Sequence, residues 1–285
     1  MERNNAQPLC ETERFLIVMS KLRYEKFTYE LRGFIFEAHN KLKTGWPEEV
    51  YHQGLVQLLR DKEIPVDSKP RKSIVHRGIE VHHFECDLLV WELIILELKT
   101  LPFTTFAAQH YAQLIHYLKC WNKNLGLLVN FGPPQVEIKR VVWDDPELKI
   151  LQNYTPIEPY LSDTDRLTLD RIWQAILALG QQYGLGYPET MYCSLAAIEL
   201  KHNGLNCQRE IKIPAKWNEQ VLGQHSSDYL LVDKHYLLHI RSLLDRPTRY
   251  DFAQMKTYLN NLGLKIGLIV NFGKRQLQIY GVSPD

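Results

Sequence analysis

The chain has 285 residues, of which 45% are hydrophobic and 24% are charged, and its formal net charge is +1 at neutral pH. These values are those of globular proteins, so the composition excludes a chain that is disordered throughout. The nearly neutral charge excludes a global field that draws nucleic acid to the protein, so any such binding has to use a local patch.

Cysteine usage and hydropathy indicate the compartment. The five cysteines are scattered and no two form a C-x-x-C pair, a pattern unlike that of a zinc ribbon or an iron–sulfur cluster. No apolar run reaches the ~18 residues that span a bilayer, and no signal peptide is recognised at the start. We therefore predict a cytoplasmic protein with no membrane partner.

The first predicted elements are a leader and two helices. Residues 1–24 are polar with one short apolar piece and predict a loosely attached leader. Apolar residues at helical spacing predict a helix from Tyr29 to Leu42 with Thr28 as its N-cap. Pro47 suits the first turn of a second helix, in which Glu48 lies near the positive end.

A meander of strands follows. Three strand-like runs between Ser73 and Lys99, divided at Arg77-Gly78 and Trp91-Glu92, predict three successive strands. The histidines of the first hairpin, His76 among them, are expected on a solvated edge. The remaining elements are one helix and two strands, predicted at Phe106–Cys120, Leu125–Asn130 and Gln135–Val142.

The same order of elements then begins again. The repeated motifs are GWPEEVY (Gly45–Tyr51) and GYPETMY (Gly186–Tyr192), CDLLV (Cys86–Val90) and SDYLL (Ser227–Leu231), AQLIHYL (Ala112–Leu118) and AQMKTYL (Ala253–Leu259), and GLLVNFG (Gly126–Gly132) and GLIVNFG (Gly267–Gly273). All four pairs keep one offset of 141 residues. A constant offset over several motifs predicts a tandem duplication.

The junction between the copies lies in a stretch rich in Pro, Asp and Tyr, from Asp144 to Asp165, which lacks periodicity. We place the boundary near residue 160, which predicts a first domain at 25–158 and a second at 159–285. Two copies of one fold can pair as an internal pseudo-dimer, and a homodimer of the chain or a separate protein partner is left open.

The most informative stretch is ECDLLVWELIILELKT, because its charges interrupt two apolar strands. If the hairpin turns at Trp91-Glu92, Asp87 comes within reach of Glu97, and Lys99 shares the face of Glu97. An acidic pair beside an apolar sheet is costly unless a cation neutralises it, which predicts a metal site. The alternative is an exposed ion pair on an edge strand, worth roughly 0 to 1 kcal/mol.

These motifs together resemble the GxxExxY family of the PD-(D/E)xK nuclease superfamily. The resemblance covers the first copy, residues 25–142, and more weakly the second copy, residues 168–281. It implies an α/β fold with two tandem restriction-endonuclease-like αβββαβ domains. It also implies metal-dependent cleavage of phosphodiester bonds, with DNA as the partner.

The resemblance assigns the main catalytic roles to the strand pair. Asp87, Glu97 and the Leu98 carbonyl would hold Mg²⁺ or Mn²⁺, which are hard cations that favour oxygen ligands. Lys99 would orient or help to deprotonate the attacking water and stabilise the charge that develops on the phosphate.

Four further residues are candidates, each with a structural alternative. Glu48 would be an outer metal ligand, or it complements the positive end of its helix. Gln113 and Tyr117 match the Q-x-x-x-Y element of RecB-like exonucleases, or they form a polar rung between helix and sheet. His39 would be a further metal ligand through its neutral imidazole, or it is a half-buried helix histidine.

The second copy departs from the pattern at the decisive place. Asp228 matches Asp87, but with one extra residue in the hairpin the Glu-Leu-Lys position becomes His239-Ile240-Arg241. Arginine cannot serve as a base, so a degenerate site is predicted, with the second domain as a scaffold or binding domain.

Two functions from different classes remain. The first is a metal-dependent nuclease that acts on DNA through the first copy, and an RNA phosphodiesterase would use the same residues. The alternative is a non-catalytic nucleic-acid-binding or assembly module that keeps the nuclease fold, which the absence of a strong basic stripe favours.

Overall fold

The computed structural model describes residues 24–284, apart from residues 219, 244 and 274. The predicted leader therefore lies outside the described residues except for Tyr24. The chain divides into two compact units. The first consists of the described residues up to Pro70 with Cys86–Leu114 and Leu125–Val142, and the second of Arg71–Glu85, Ile115–Asn124 and the chain from Trp143 onward. Within the described part of the chain, no helix is both long and apolar enough to cross a membrane.

The elements of the first copy follow the predicted order of two helices, a run of strands, one helix and two strands, but the run has five strands instead of three. They are α1 (Glu25–Leu42), α2 (Glu48–Asp61), β1 (Val66–Ser68), β2 (Arg71–His76), β3 (Ile79–Glu85), β4 (Leu88–Val90), β5 (Ile94–Lys99), α3 (Ala108–Trp121), β6 (Leu125–Asn130) and β7 (Glu137–Val142). The sheet of the first unit has the order β1-β4-β5-β6-β7, in which β5 and β6 are parallel and the other neighbours are antiparallel. This mixed sheet with its helices confirms the predicted α/β class.

The core of the first unit lies between the sheet and the helices α1 and α2. Leu31 and Ile35 of α1 and Leu55 and Leu59 of α2 are fully buried against β4, β5 and β6. Burial of such a side chain contributes about 1.5–3 kcal/mol. The apolar stripes therefore fix the N-terminus of α2 relative to the sheet.

Two predictions about the first elements were wrong in detail. Helix α1 begins at Glu25, because Tyr24, directly before it, adopts a left-handed φ of 53° that is not helical. Thr28 is therefore not the N-cap but lies inside the helix, where its hydroxyl donates to the Tyr24 carbonyl at 2.9 Å.

The predicted three-strand meander is also wrong, because β2 and β3 form a separate two-stranded ribbon. The chain leaves the ribbon between Glu85 and Leu88, and β4 pairs with β5 on one side and with β1 on the other. Strand β1, which the sequence pattern did not predict, takes the edge that the meander would have given to β3.

The second copy repeats this arrangement. Its elements, preceded by β8 from the junction, are β8 (Ile150–Asn153), α4 (Asp163–Tyr183), α5 (Glu189–His202), β9 (Cys207–Gln208), β10 (Ile211–Trp217), β11 (Gln220–Ser227), β12 (Leu230–Val232), β13 (Tyr236–Arg241), α6 (Arg249–Leu262), β14 (Ile266–Phe272) and β15 (Leu277–Val282). Its sheet has the order β8-β15-β14-β13-β12-β9, and β10 and β11 form the matching ribbon. Strand β8 shows that the junction contains regular structure; the domain bounds 25–158 and 159–285 stay a prediction.

A motif tyrosine holds the loop before the second helix in both copies. The Tyr51 hydroxyl donates to the Lys43 carbonyl at 2.6 Å, and its ring stacks on Phe131 at 4.8 Å. The hydroxyl of Tyr192 donates to the Gly184 carbonyl at 2.7 Å in the same way. The tyrosine of the G-x-x-E-x-x-Y motif is thus a core aromatic with a satisfied hydroxyl in each copy.

The ribbon β2–β3 belongs to the second unit, and a buried ion pair anchors it there. His76 Nε2 lies 2.8 Å from Glu199 Oε2 on α5, and Arg77 donates to both oxygens of the same carboxylate. The expectation of a solvated histidine was wrong for His76, which is 4% exposed. Hydrogen bonds from Arg77 are the largest cause that lowers the pKa of Glu199 to about 2.

Candidate active site

The turn between β4 and β5 brings the predicted acidic residues together. Trp91 and Glu92 have φ values of 53° and 54°, as a tight hairpin turn of the primed type requires. Asp87, which directly precedes β4, accepts a hydrogen bond from the Leu98 N–H at 2.7 Å. The hairpin therefore fixes Asp87 beside the strand that carries Glu97 and Lys99.

Glu97 is the most perturbed acid of this site. The residue is 2% exposed; its Oε1 accepts from Lys99 Nζ at 2.6 Å, whereas Oε2 is buried with no hydrogen-bond partner among the described residues. Burial, followed by the negative charge of Asp87, raises the pKa of Glu97 to about 8 despite the charge of Lys99.

Lys99 is held by its neighbours in sequence. Its Nζ donates to Glu97 Oε1 and, at 2.8 Å, to the Leu98 carbonyl. Burial by itself would lower the pKa of Lys99, but nearby carboxylates, that of Glu97 first, outweigh it and raise the pKa. Burial, with the neighbouring carboxylates adding to it, thus raises the pKa of Glu97, whereas the carboxylates raise the pKa of Lys99 against the effect of burial.

Glu48 completes the group of carboxylates. It is the first residue of α2, directly after Pro47, and is half-buried. Burial is the main cause that raises its pKa, the charge of Asp87 adds to this, and the charge of Lys99 opposes it. The structure thus brings Glu48 into the electrostatic field of this group, and its role as an outer metal ligand stays a prediction.

Two buried polar residues that the sequence analysis missed support this group. His52 Nε2 lies 3.2 Å from the Asp87 main-chain carbonyl, and fully buried Asn130 bonds both N–H and C=O of Leu101, just after β5. Two sequence features could have identified these residues. His52 directly follows the motif tyrosine, and Asn130 recurs as Asn271 in the repeated VNFG.

The donor set of this site fits a hard divalent cation. Among the described residues, no group of three or more His, Cys, Asp or Glu side chains is gathered as a metal cluster. However, Glu97 has an unpartnered buried oxygen, and the carboxylates of Glu48 and Asp87 raise its pKa. A cation held by oxygen ligands would relieve this repulsion.

The predicted Leu98 and His39 ligands are already engaged by protein groups. The Leu98 carbonyl accepts from Lys99 at 2.8 Å, so a cation bound to this oxygen would share it with the ammonium or displace the ammonium. His39 is buried; its Nε2 bonds to the Pro133 carbonyl at 3.1 Å and its ring stacks on Phe131. Its role as a ligand stays a prediction that would have to use Nδ1.

Gln113 and Tyr117 lie on one face of α3, as predicted from their spacing. Gln113 is half-buried, and the buried ring of Tyr117 packs edge-on against Phe84 and Trp121. This packing accounts for the tyrosine ring. A role of either residue at the active site stays a prediction.

Comparison with known proteins assigns the family. A sequence model of the PD-(D/E)XK nuclease superfamily matches residues 25–141 and, a second time, residues 166–280. The chain belongs to the PD-(D/E)XK nuclease superfamily. The double match also agrees with the tandem duplication of this nuclease-like fold.

No protein among the curated sequences matches the chain. A solved structure described as "Crystal structure of SSO0001" is similar at 20% sequence identity with a TM-score of 0.28. The similarity covers 42% of this chain and 59% of that one, so the chain spans less than two thirds of that protein.

The strand registers locate the extra residue of the second nuclease-like copy. Leu88 pairs with Leu96 in the first copy and Leu230 pairs with Leu238 in the second, so the two hairpins match without a gap. The insertion is therefore Tyr229, directly after Asp228, rather than a residue of the hairpin turn.

Tyr229 fills the site of the second copy. Its ring stacks on His239 with centroids 4.0 Å apart, and its hydroxyl donates to Gln254 at 3.1 Å. Gln254 in turn donates to the Tyr258 hydroxyl at 3.1 Å. The Q-x-x-x-Y face of this domain thus contacts Tyr229, the residue next to Asp228, which matches Asp87 of the first copy.

Charged groups of the second site neutralise one another within the protein. Arg241, at the Lys99 position, donates to Glu189 at 3.0 Å and lies 3.3 Å from Asp251. Burial, with the charge of Arg241 adding to it, lowers the pKa of His239 to about 4, so this imidazole is neutral at neutral pH. The arginine supplies permanently the positive charge that a cation would bring.

Proposed function

We propose that the protein is a metal-dependent nuclease that hydrolyses phosphodiester bonds of DNA with its first copy. The observation that carries the proposal is the buried Glu97 carboxylate, with one unpartnered oxygen, coupled to Asp87, Glu48 and Lys99. A structural protein gains nothing from gathering three carboxylates whose charges oppose one another.

The side chains have distinct tasks in this proposal. Asp87, Glu97 and Glu48 would hold Mg²⁺ or Mn²⁺, which neutralises phosphate charge and makes bound water a better nucleophile. The Leu98 N–H fixes the orientation of Asp87. Lys99, which donates to Glu97, would donate to a phosphate oxygen and stabilise its developing charge.

Three finer assignments belong to the same proposal. We assign the chain to the GxxExxY family because Tyr51 and Tyr192 hold equivalent loops in the two copies. The second copy acts as a pseudo-nuclease scaffold or binding domain, paired with the first within one chain. A cytoplasmic location fits the free buried thiols of the described cysteines Cys86, Cys120, Cys193 and Cys207.

The test is incubation of the purified chain with linear, circular and single-stranded DNA, in magnesium, manganese or chelator. We expect cleavage that requires metal and is lost in Asp87→Ala, whereas the matched Asp228→Ala variant stays active. Cleavage by Asp87→Ala, or cleavage in chelator, would contradict the proposal.

A second function, a non-catalytic nucleic-acid-binding or assembly module, is favoured by one observation. Lys99 already donates to Glu97 and to the Leu98 carbonyl, two of the proposed metal ligands. Absence of metal binding by calorimetry, together with no cleavage of DNA or RNA, would establish this function instead.

A further inference from the structure

The β2–β3 ribbon shows how one copy of the fold docks on the other. Within the second unit, the tip of this ribbon, formed by His76 and the turn after it, lies on the helices α4 and α5. The His76 ring lies 2.9 Å from the Tyr183 hydroxyl, at the end of α4, and 2.8 Å from Glu199 on α5. Further along the ribbon, Phe84 packs on Tyr187 with ring centroids 5.9 Å apart. The docking surface therefore consists of two helix ends and one aromatic ring.

The equivalent surface of the first copy is an open cavity. With the offset of 141 residues between the copies, Leu42 at the end of α1 is the counterpart of Tyr183. Leu58 of α2 is the counterpart of Glu199 in the same way. A cavity of about 200 Å³ lies at these two leucines, and it is lined by Ala38, Lys41, Leu42, Gly54, Gln57, Leu58 and Asp61. The polar groups that hold the docked ribbon in the second copy are therefore replaced by leucines in the first.

An exposed aromatic ring stands beside this cavity. Trp46 is 53% exposed, and its Nε1 donates to the Leu42 carbonyl at 2.9 Å, which holds the indole next to the cavity. Its counterpart in the second copy is Tyr187, which is buried and packs on Phe84 of the docked ribbon. The first copy thus presents the equivalent docking surface with apolar groups and with its aromatic ring open to a partner.

The β10–β11 ribbon of the second copy carries the matching change at its tip. The two ribbons pair in the same register and have a bulge at the same place, so Trp217 is the counterpart of His76. His76 is buried in its contact, whereas Trp217 is 69% exposed, and Val221 and Leu222 near the same tip are exposed as well. A large apolar side chain therefore stands at the ribbon position that enters the docking surface.

The exposed tip and the cavity are complementary in chemistry. In the contact inside the chain, a histidine and an arginine of the ribbon meet a tyrosine and a glutamate, so this contact is polar. In the other pair, a tryptophan takes the place of the histidine and two leucines take the places of the tyrosine and the glutamate. Burial of a tryptophan among leucines is favourable, whereas burial of the Glu199 carboxylate against an indole is costly. The tip with Trp217 therefore fits the cavity of the first copy.

We propose that the β10–β11 ribbon of one chain docks on the α1–α2 cavity of a second copy of the chain. Trp217 enters the cavity beside Leu42 and Leu58, where Trp46 adds an apolar rim. Because the ribbon and the cavity are different surfaces, the contact is heterologous and joins chains head to tail. Each added chain brings a further tip and a further cavity, so assembly continues until a ring closes. The inference does not depend on the proposed hydrolysis.

Sedimentation velocity of the full-length protein over a range of concentrations measures this association. We expect the wild type to form oligomers whose fraction rises with concentration. Trp217→Ser should raise the dissociation constant about tenfold or more, because a buried tryptophan contributes strongly to an interface. The matched control is Tyr250→Ser, which removes an equally exposed aromatic residue in the first turn of α6 and should leave the association unchanged.

Mixing variants of the two surfaces tests whether the contact is head to tail. Gly54→Leu installs the residue of the second copy, Leu195, and fills the cavity, since a Cβ at Gly54 already lies 2.8 Å from the Leu42 side chain. Circular dichroism verifies that this variant is folded. Trp217→Ser keeps an open cavity and Gly54→Leu keeps an intact tip. Neither variant should assemble alone, whereas the mixture should form a 1:1 complex and nothing larger.

A wild type that stays monomeric at every concentration, or unchanged association of Trp217→Ser, would overturn the inference. A mixture of the two variants that stays monomeric would also overturn it, because one intact tip and one intact cavity are then present together. Complexes larger than 1:1 in this mixture would show that other surfaces join the chains.

Discussion

At the scale of single residues, the proposed site is defined by a carboxylate that the fold holds in an unfavourable state. Glu97 lies in a buried strand, where Lys99 donates to one of its oxygens and the charges of Asp87 and Glu48 help to raise its pKa. Buried carboxylates of this kind keep a proton until a positive charge arrives. A cation bound at the proposed site would therefore displace this proton.

The raised pKa of Glu97 predicts a pH-dependent stability. Native Glu97 keeps its proton up to about pH 8, whereas the unfolded group releases it near its model value of 4.5. The contribution of Glu97 to the free energy of unfolding is therefore most favourable below about pH 4.5 and is lost as the pH rises through 8. In chelator, the free energy of unfolding of Glu97→Gln should rise by a few kcal/mol relative to that of the wild type between about pH 5 and 8.

Urea unfolding of both proteins across this range measures the difference. Manganese should stabilise only the wild type, which removes the advantage of the variant at the upper end of the range. Parallel stability curves for the two proteins would show that Glu97 titrates normally.

Residue-scale prediction from sequence succeeded where side-chain alternation decides position. Asp87, Glu97 and Lys99 follow from a hairpin and a period of two. His52 and Asn130 were missed because their partners are main-chain carbonyl and amide groups, which no pattern of residue types identifies. The insertion at Tyr229 was misplaced because SDYLL matches CDLLV equally well with the gap on either side of the leucines.

At the scale of elements, helix and strand order was predictable, but pairing was not. Strand β1 has only three residues, and its pairing with β4 depends on the path of the chain after α2. Likewise, β2 and β3 read as part of the main sheet until His76 and Arg77 are seen to anchor them to α5. Long-range contacts of this kind leave no local signal.

The anchor of the ribbon predicts a second pH dependence with the opposite sign. The pKa of Glu199 is lowered to about 2, so its ion pairs stabilise the fold fully above about pH 4.5 and are lost as the pH falls towards 2. Glu199→Gln should cost about 1.5–3 kcal/mol at neutral pH, because it removes the buried carboxylate charge that accepts from Arg77, and much less in acid.

The matched control for this prediction is Glu85→Gln in the same ribbon. Glu85 pairs with Arg71, which is 79% exposed, and such a surface pair contributes under about 1 kcal/mol. Chemical denaturation of both variants at neutral and acidic pH measures the contrast. Equal costs for the two substitutions at neutral pH would contradict the account of the anchor.

At the scale of the whole molecule, duplication has given one chain two copies with different chemistry. The sheets share their central order, and equivalent tyrosines hold equivalent loops. The first copy gathers the carboxylates that we propose hold a cation, whereas the second fills the same place with Arg241, neutral His239 and Tyr229. We therefore expect a single active site in each chain.

The most direct measurement exchanges the deciding residue between the copies. Glu97→His gives the first copy the residue of the second, and His239→Ala changes only the second. Cleavage of DNA in manganese should fall about a hundredfold or more in Glu97→His and stay at the wild-type rate in His239→Ala. Wild-type cleavage by Glu97→His, or loss of cleavage in His239→Ala, would contradict the assignment of the active site to the first copy.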